Sequence, residues 1–119
     1  MNVDEALKAS VVRNLAFADI EALLVACPEP AREALDRLAI ELASKFVFGK
    51  AEFREADDLA NVMFAYATRN DLLGDTLHKV FLAFDAGEYV PDKMSAATDP
   101  ISTFTRPLLA AILTRLVAT

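Results

Sequence analysis

The sequence predicts an all-α fold: a single-domain bundle of five helices, or of six if Asp19 begins a new helix, with one long loop before the last helix. Apolar residues recur at helical spacing in five runs, which glycines, prolines and the pair Asn70–Asp71 separate. No run alternates apolar and polar residues as a strand does. With 119 residues, 55% of them hydrophobic, the chain has the size and composition of one domain, taken as residues 1–119.

The first run covers about residues 4–26 and repeats its apolar side chains at helical spacing. Asn2 or Asp4 is expected to cap its start by accepting hydrogen bonds from backbone amides that have no partner within the helix. Asp19 could cap a second segment in the same way. One continuous helix and two successive helices therefore both fit this run.

The second and third runs have the clearest amphipathic patterns. The second begins at Pro30, whose missing N–H is not needed in a first helical turn, and Gly49 is expected to end it in the left-handed conformation. The third covers about residues 53–69. The predicted buried faces are Leu35, Leu38, Leu42 and Phe46 in the second run, and Ala56, Leu59, Ala60, Met63, Phe64 and Ala67 in the third.

The fourth run covers about residues 72–86 and is expected to end at Gly87. Gly74 lies within its predicted first turn, where it weakens the helix by up to about 1 kcal/mol relative to alanine. The connection to the third run is short, which favours antiparallel packing of the two helices. Its predicted apolar face comprises Leu73, Leu77, Val80, Phe81 and Phe84.

The last run begins near Pro100, with Asp99 as its cap, after the long polar segment 87–100. Pro107 is expected either to kink this helix or to mark a fresh start, because proline cannot donate to the carbonyl four residues back. Since residues 108–113 are apolar on every side, the helix is expected to lie at the centre of the bundle. Its predicted stripe comprises Ile101, Phe104, Leu108, Ile112 and Leu116.

Acidic side chains exceed basic ones and are concentrated in the middle of the chain. The formal net charge is −6, and residues 51–99 hold 10 of the 18 acidic residues but only 4 of the 12 basic ones. Nucleic-acid-binding proteins have the opposite balance, so direct binding to nucleic acid is not expected. Two ion pairs at i, i+4 are expected to neutralise part of the excess: Arg54–Asp58 and Asp75–Lys79.

The residue types that catalysis or metal binding would need are scarce. His78 is the one histidine, and it is interpreted as packing at the edge of the fourth helix's apolar face. Cys27 is the one cysteine, and it is interpreted as a buried, inert thiol because nothing basic flanks it in sequence. The glycines are too scattered for a phosphate-binding loop. We therefore predict no enzyme activity, no metal site and no cofactor.

The expected location is the cytoplasm. A single cysteine allows no internal disulfide, which is typical of proteins in a reducing compartment. Asp4, Glu5 and Asp19 interrupt the first 20 residues, so this segment does not have the pattern of a signal peptide. The longest uncharged stretch, residues 107–114, is too short to cross a bilayer, and no membrane contact is expected.

The remaining acids, together with the long polar segment, predict a surface that binds a basic protein. Tyr89 stands in that segment between acidic residues, and exposed tyrosines are favoured at protein interfaces. An acidic face that is merely solvated is the alternative. The predicted partner-binding residues are Asp57, Asp71, Asp75, Asp85, Glu88, Tyr89 and Asp92.

Four short segments carry a similarity to a known family of proteins. They are GKAEFREAD at 49–57, FDAGEY at 84–89, DP at 99–100 and TRPL at 105–108. In order and spacing, over about residues 35–113, they resemble the small helical immunity proteins of bacterial contact-dependent growth-inhibition and colicin-like toxin systems. The resemblance implies an all-α cytosolic inhibitor that binds and neutralises a toxin nuclease domain.

The predicted function is therefore that of an immunity protein that blocks the basic active site of a toxin domain, expected to be a nuclease, with an acidic surface. Nuclease sites are lined with Lys and Arg that hold phosphates, so an acidic inhibitor can occupy them as a phosphate mimic. The alternative is a helical protein–protein adaptor or effector chaperone whose client is not a toxin. The sequence fits a monomer and a dimer equally.

Overall fold

The described part of the chain forms α-helices and no strand, as the periodicity predicts. The structure is a computed structural model that describes residues 1–90 and 98–118, the side chains of 116–118 excepted. Two long central helices, α3 and α4, pack against each other and against most of the others. The helices are α1 (Val3–Val12), α2 (Phe17–Val25), α3 (Ala31–Val47), α4 (Phe53–Arg69), α5 (Asp75–Asp85) and α6 (Arg106–Ala118), and a π-helical segment (Ile101–Thr105) leads into α6.

The first run forms two helices, α1 and α2, which resolves the alternative at Asp19. Asn2, one of the two predicted caps, is the N-cap of α1. Its side chain accepts a hydrogen bond from the Glu5 N–H, and the Glu5 side chain accepts one from the Asn2 N–H. Asp19 is the third residue of α2, and its carboxylate accepts a hydrogen bond from the Ala16 N–H at 2.8 Å. Both of its oxygens also bind the Arg13 guanidinium, at 2.6 and 2.8 Å. These bonds hold the turn between α1 and α2 and lower the pKa of Asp19 to about 2.

The predicted limits and faces of α3 and α4 are confirmed with small shifts. Pro30 is the N-cap of α3, one residue before its first helical position, and Gly49 follows the helix with a left-handed φ of +76°. Phe64 is partly exposed, and all other residues of the two predicted faces are buried. Their packing forms the hydrophobic core between α3 and α4.

The start of α5 depends on a side chain from α3. The helix begins at Asp75, later than predicted, and Gly74 is its N-cap. Asp36 of α3 accepts a hydrogen bond from the Leu77 N–H at 2.9 Å. A Cβ atom on Gly74 would clash with the carboxylate of Asp36, so a larger residue there would displace the side chain that binds the Leu77 N–H. The prediction that Gly74 weakens the first turn of the helix is therefore wrong.

The last helix, α6, lies at the surface and not at the predicted centre of the bundle. Leu109 is fully buried, but Leu108 is 47% exposed and both Ala110 and Ala111 are exposed. The run of apolar residues is therefore a helix with one buried side and one apolar side that faces solvent.

The π-helical segment explains why the predicted stripe of α6 is displaced. The Arg106 N–H bonds to the Ile101 carbonyl five residues back, so this turn holds one residue more than an α-helical turn. Pro107 has no N–H, and its ring would crowd a carbonyl four residues back, which the wider turn avoids. The alternative that a new helix begins near Pro107 is confirmed, because α6 begins at Arg106. The extra residue in the preceding turn shifts the buried positions to Thr105 and Leu109.

An aromatic cluster fills the core where α3 ends, α4 begins and α5 ends. The Phe46 ring meets the rings of Phe53 and Phe84 edge-on, with ring centres 5.9 and 5.5 Å apart. The guanidinium of Arg106 lies 4.5 Å from the centre of the Phe46 ring, within the range of a cation–π contact. The cluster thus ties α3, α4, α5 and the start of α6 together at one end of the bundle.

Candidate acidic binding site

The structure divides the predicted acidic residues between the two ends of the α4–α5 pair. The two helices run antiparallel, joined by residues 70–74. Asp57, in the first turns of α4, lies at the same end as Asp85, the last residue of α5. Asp71 and Asp75 flank the connection at the other end. Asp75 and Asp85 are the first and last residues of α5. Because an α-helix rises by about 1.5 Å per residue, they lie about 15 Å apart along the helix axis.

Gly87 brings the chain that follows α5 against the start of α4. It is buried, and a Cβ atom there would lie 2.3 Å from Thr105 Oγ1 and 3.0 Å from the Phe53 ring. Thr105 in turn donates to the Ala83 carbonyl at 2.7 Å, in the last turn of α5 where carbonyls lack partners within the helix. This packing carries Glu88, the next residue, to the side of α4.

The carboxyl groups of Asp58, Asp85 and Glu88 lie near enough to Asp57 for their charges to act on it, and we call these four residues the acidic cluster. Asn61, one turn after Asp57 on α4, donates from Nδ2 to Glu88 Oε2 at 3.3 Å. The Oδ1 atom of Asp57 is buried and accepts no hydrogen bond from the described residues. The cluster therefore joins α4 to the end of α5 by polar contacts at the surface.

The crowding of carboxyl groups raises the pKa of Asp57 to about 7. Partial burial is the largest cause, because a carboxylate loses hydration there. A hydrogen bond with Glu88 is the next cause, followed by the negative charges of Glu88, Asp58 and Asp85. Asp57 therefore keeps its proton to a higher pH than an ordinary aspartate, and its protonated form can donate a hydrogen bond to Glu88.

The two predicted i, i+4 ion pairs, Arg54–Asp58 and Asp75–Lys79, are not formed. Within residues 1–90 and 98–118 the ion pairs are Arg13–Asp19, Arg37–Glu29 and Lys45–Asp4. None of them involves the acidic cluster. Asp58, which the sequence pairs with Arg54, therefore contributes its charge to the cluster.

The remaining predicted residue that the structure describes is Tyr89, which is 65% exposed and directly follows the cluster in sequence. Asp92 lies outside the described residues. The predicted set lacks Asn61 and Asp58. The signal for Asn61 was its spacing from Asp57, because residues at i and i+4 lie on one side of a helix.

His78 and Cys27 belong to other parts of the fold. His78 stacks on the Phe64 ring with centres 5.9 Å apart, which agrees with packing at a helix edge. The interpretation of Cys27 as a buried thiol without a basic neighbour is wrong, because Cys27 is partly exposed and Arg37 Nη2 lies 3.1 Å from its Sγ. The described residues contain no group of three or more His, Cys, Asp or Glu side chains able to hold a metal ion. None of the helices in that part of the chain has the length and apolarity that crossing a bilayer requires.

The raised pKa of Asp57 predicts that stability falls as the pH rises from about 5 to 8. Asp57 titrates near 3.8 as a free side chain and near 7 in the folded protein, so between these values only the folded state keeps the proton. The stabilisation is complete below the lower pKa and is lost as pH rises through 7. We expect Asp57→Asn, which resembles the protonated form, to be about 1–2 kcal/mol more stable than the natural protein at pH 8, after discounting for partial exposure.

Urea denaturation of both proteins at pH 5 and pH 8 measures this difference, and Asp71→Asn, at an exposed aspartate, is the matched control. The carboxylate of Asp19 does not interfere, because its pKa is near 2. If the natural protein and Asp57→Asn lose the same stability between the two pH values, the carboxyl groups do not interact as described.

Comparisons with protein-family models, with curated proteins and with solved structures gave no match for this chain. The case for a function therefore rests on the fold and on the geometry of the acidic cluster.

Proposed function

We propose that this protein is an immunity protein that binds a basic toxin domain, a nuclease, through the acidic cluster and Tyr89. The observation that carries the proposal is the convergence of carboxyl groups from α4 and from the end of α5, with no Lys or Arg of the described residues paired to them. The segments that resemble helical immunity proteins contain Asp57, Asp85 and Glu88, so the resemblance points to the same residues. In this role the protein acts in the cytoplasm and catalyses no reaction.

The electrostatics of the cluster suit a cationic partner. Burial and the repulsion between the neighbouring negative charges together raise the pKa of Asp57. A Lys or Arg side chain placed among the carboxylates would relieve the repulsion and favour the ionised form of Asp57. Binding would then release a proton and would be accelerated by long-range attraction.

The acidic cluster lies on a well-packed part of the fold, as a stable interface requires. Its residues lie at or near helix ends that are packed together by the rings of Phe46, Phe53 and Phe84. Tyr89 offers a large, exposed, amphipathic side chain beside the carboxylates, as interface anchors commonly do. A nuclease site that holds phosphates with Lys and Arg presents the complementary surface.

The double charge reversal D85K/E88K tests the proposal, with D71K/D75K as the matched control. Both variants change the net charge equally, but the control changes the opposite end of the α4–α5 pair. With the product of the neighbouring open reading frame as the binding partner, we expect D85K/E88K to weaken binding by about thirtyfold or more and the control by about threefold or less. Isothermal titration calorimetry at 50 and 500 mM salt gives both affinities and their salt dependence.

Equal losses in the two variants, or an affinity that ignores salt, would contradict the placement of the interface at the acidic cluster. If no toxin domain binds and D85K/E88K instead disrupts binding to another cytosolic protein, the adaptor function replaces the immunity function.

A further inference from the structure

A groove between α5 and α6 is lined by two cationic side chains and by no acidic one. Its volume is about 350 Å³, and its lining is mainly apolar. Leu82 and Leu108 line it and are 48% and 47% exposed. Lys79 and Arg115 line it as well, and neither forms an ion pair with the described residues. The groove thus combines exposed aliphatic surface with two cations in a chain of net charge −6.

The register of the two helices separates the apolar and cationic parts of the groove. The hydrogen bond from Thr105 to the Ala83 carbonyl places the start of α6 beside the last turn of α5. Residues as far along as Arg115 line the same groove as Thr76, so α6 runs back along α5. Leu82 and Leu108 therefore lie toward one end, and Thr76 and Arg115 lie toward the other, with Lys79 between them.

We infer that this groove binds a small amphiphilic carboxylate, with its aliphatic chain along Leu82 and Leu108 and its carboxylate toward Lys79 and Arg115. The charge complementarity is direct, because both cations face an apolar channel without an acidic partner among the described residues. The lining residues of each helix span about two turns, or about 10 Å, which matches an extended chain of about eight carbons.

The size of the groove favours a small molecule over a docked helix. Its volume lies at the lower end of the range for small-ligand pockets. A helix about 10 Å wide would need a longer channel to place anchors on several turns. The inference is independent of toxin binding, because the acidic cluster lies on α4 and at the end of α5.

Calorimetric titration with octanoate and decanoate, below their micelle-forming concentrations, measures the interaction. Because the groove accommodates about eight carbons, the two further methylenes of decanoate extend beyond its lining residues, and we expect decanoate to bind within about threefold of octanoate. Decyltrimethylammonium has the same chain length with the opposite charge and is expected to bind at least tenfold more weakly than decanoate.

Variants at exposed positions of the groove complete the test, and circular dichroism confirms that each is folded. We expect Lys79→Gln and Arg115→Gln each to weaken decanoate binding by about tenfold, and Ala111→Trp to block the groove and abolish binding. Lys8→Gln, at an exposed lysine on α1, is the matched control and should bind normally. Equal binding of the cationic amphiphile, normal binding by Ala111→Trp, or binding of only an acidic helical peptide would each overturn the inference.

Discussion

Replacing Phe46 with alanine is expected to destabilise the protein by about 3–5 kcal/mol, a large part of the stability of a domain this size. Phe46 is 1% exposed and contacts the rings of Phe53 and Phe84. Alanine would leave a cavity between three helices and would remove the ring beneath Arg106. Urea denaturation monitored by circular dichroism measures the change in the free energy of unfolding.

Phe48→Ala is the matched control for this experiment. Phe48 lies two residues later at the end of the same helix but is 71% exposed, so its removal is expected to change stability by at most about 0.5 kcal/mol. Similar losses for Phe46→Ala and Phe48→Ala would mean that the aromatic cluster does not contribute to the core as described.

Replacing Gly87 with alanine is expected to destabilise the protein by about 2–4 kcal/mol. The added Cβ would meet Thr105 Oγ1 at 2.3 Å, and the displacement of Thr105 would break its buried hydrogen bond to the Ala83 carbonyl. The same displacement would move Glu88 away from Asp57, so the pKa of Asp57 should fall toward its ordinary value. Denaturation and an NMR titration of the Asp57 carboxyl carbon measure the two effects.

A double-mutant cycle with Thr105→Ala separates the clash from a general effect of the substitution. Thr105→Ala removes the oxygen that the new methyl group would meet, so Gly87→Ala should cost at least about 1 kcal/mol less in that background. An equal cost in both backgrounds would show that Gly87 does not pack against Thr105.

The long amphipathic helices were predictable because their pattern lasts for several turns. In α3 the apolar positions 35, 38, 42 and 46 define one face, and all four side chains are buried. The apolar face of α4 is equally clear. By contrast, α6 has apolar residues all round, so a one-residue change in register cannot be seen in its sequence. The π-helical segment makes this change just before Pro107, and it also places Thr105 against α5 in a contact that is not local in sequence.

The acidic site was predictable in part, for a similar reason. The composition indicates an excess of acid in residues 51–99, and the short connection between α4 and α5 predicts an antiparallel pair. Which acids meet depends on the position of each one along that pair. Asp57 and Asp85 fall at the same end, whereas Asp75 lies about 15 Å away along α5. The hydrogen bond between Asn61 and Glu88 depends on how Gly87 packs, which the sequence does not show.

The hydrogen bond from Leu77 to Asp36 has a consequence for the order in which the chain folds. An isolated helix shorter than about 12–15 residues is marginal in water, and α5 has 11 residues. Its first turn is closed by a side chain 41 positions earlier in the chain, so nucleation of α5 waits until α3 has formed and come alongside. Since Asp85 and Glu88 take their places only when α5 is complete, we expect the acidic cluster to form after α5 has docked on α3. A partner that required the whole acidic cluster would therefore bind the docked helices and not a form in which α5 is unfolded.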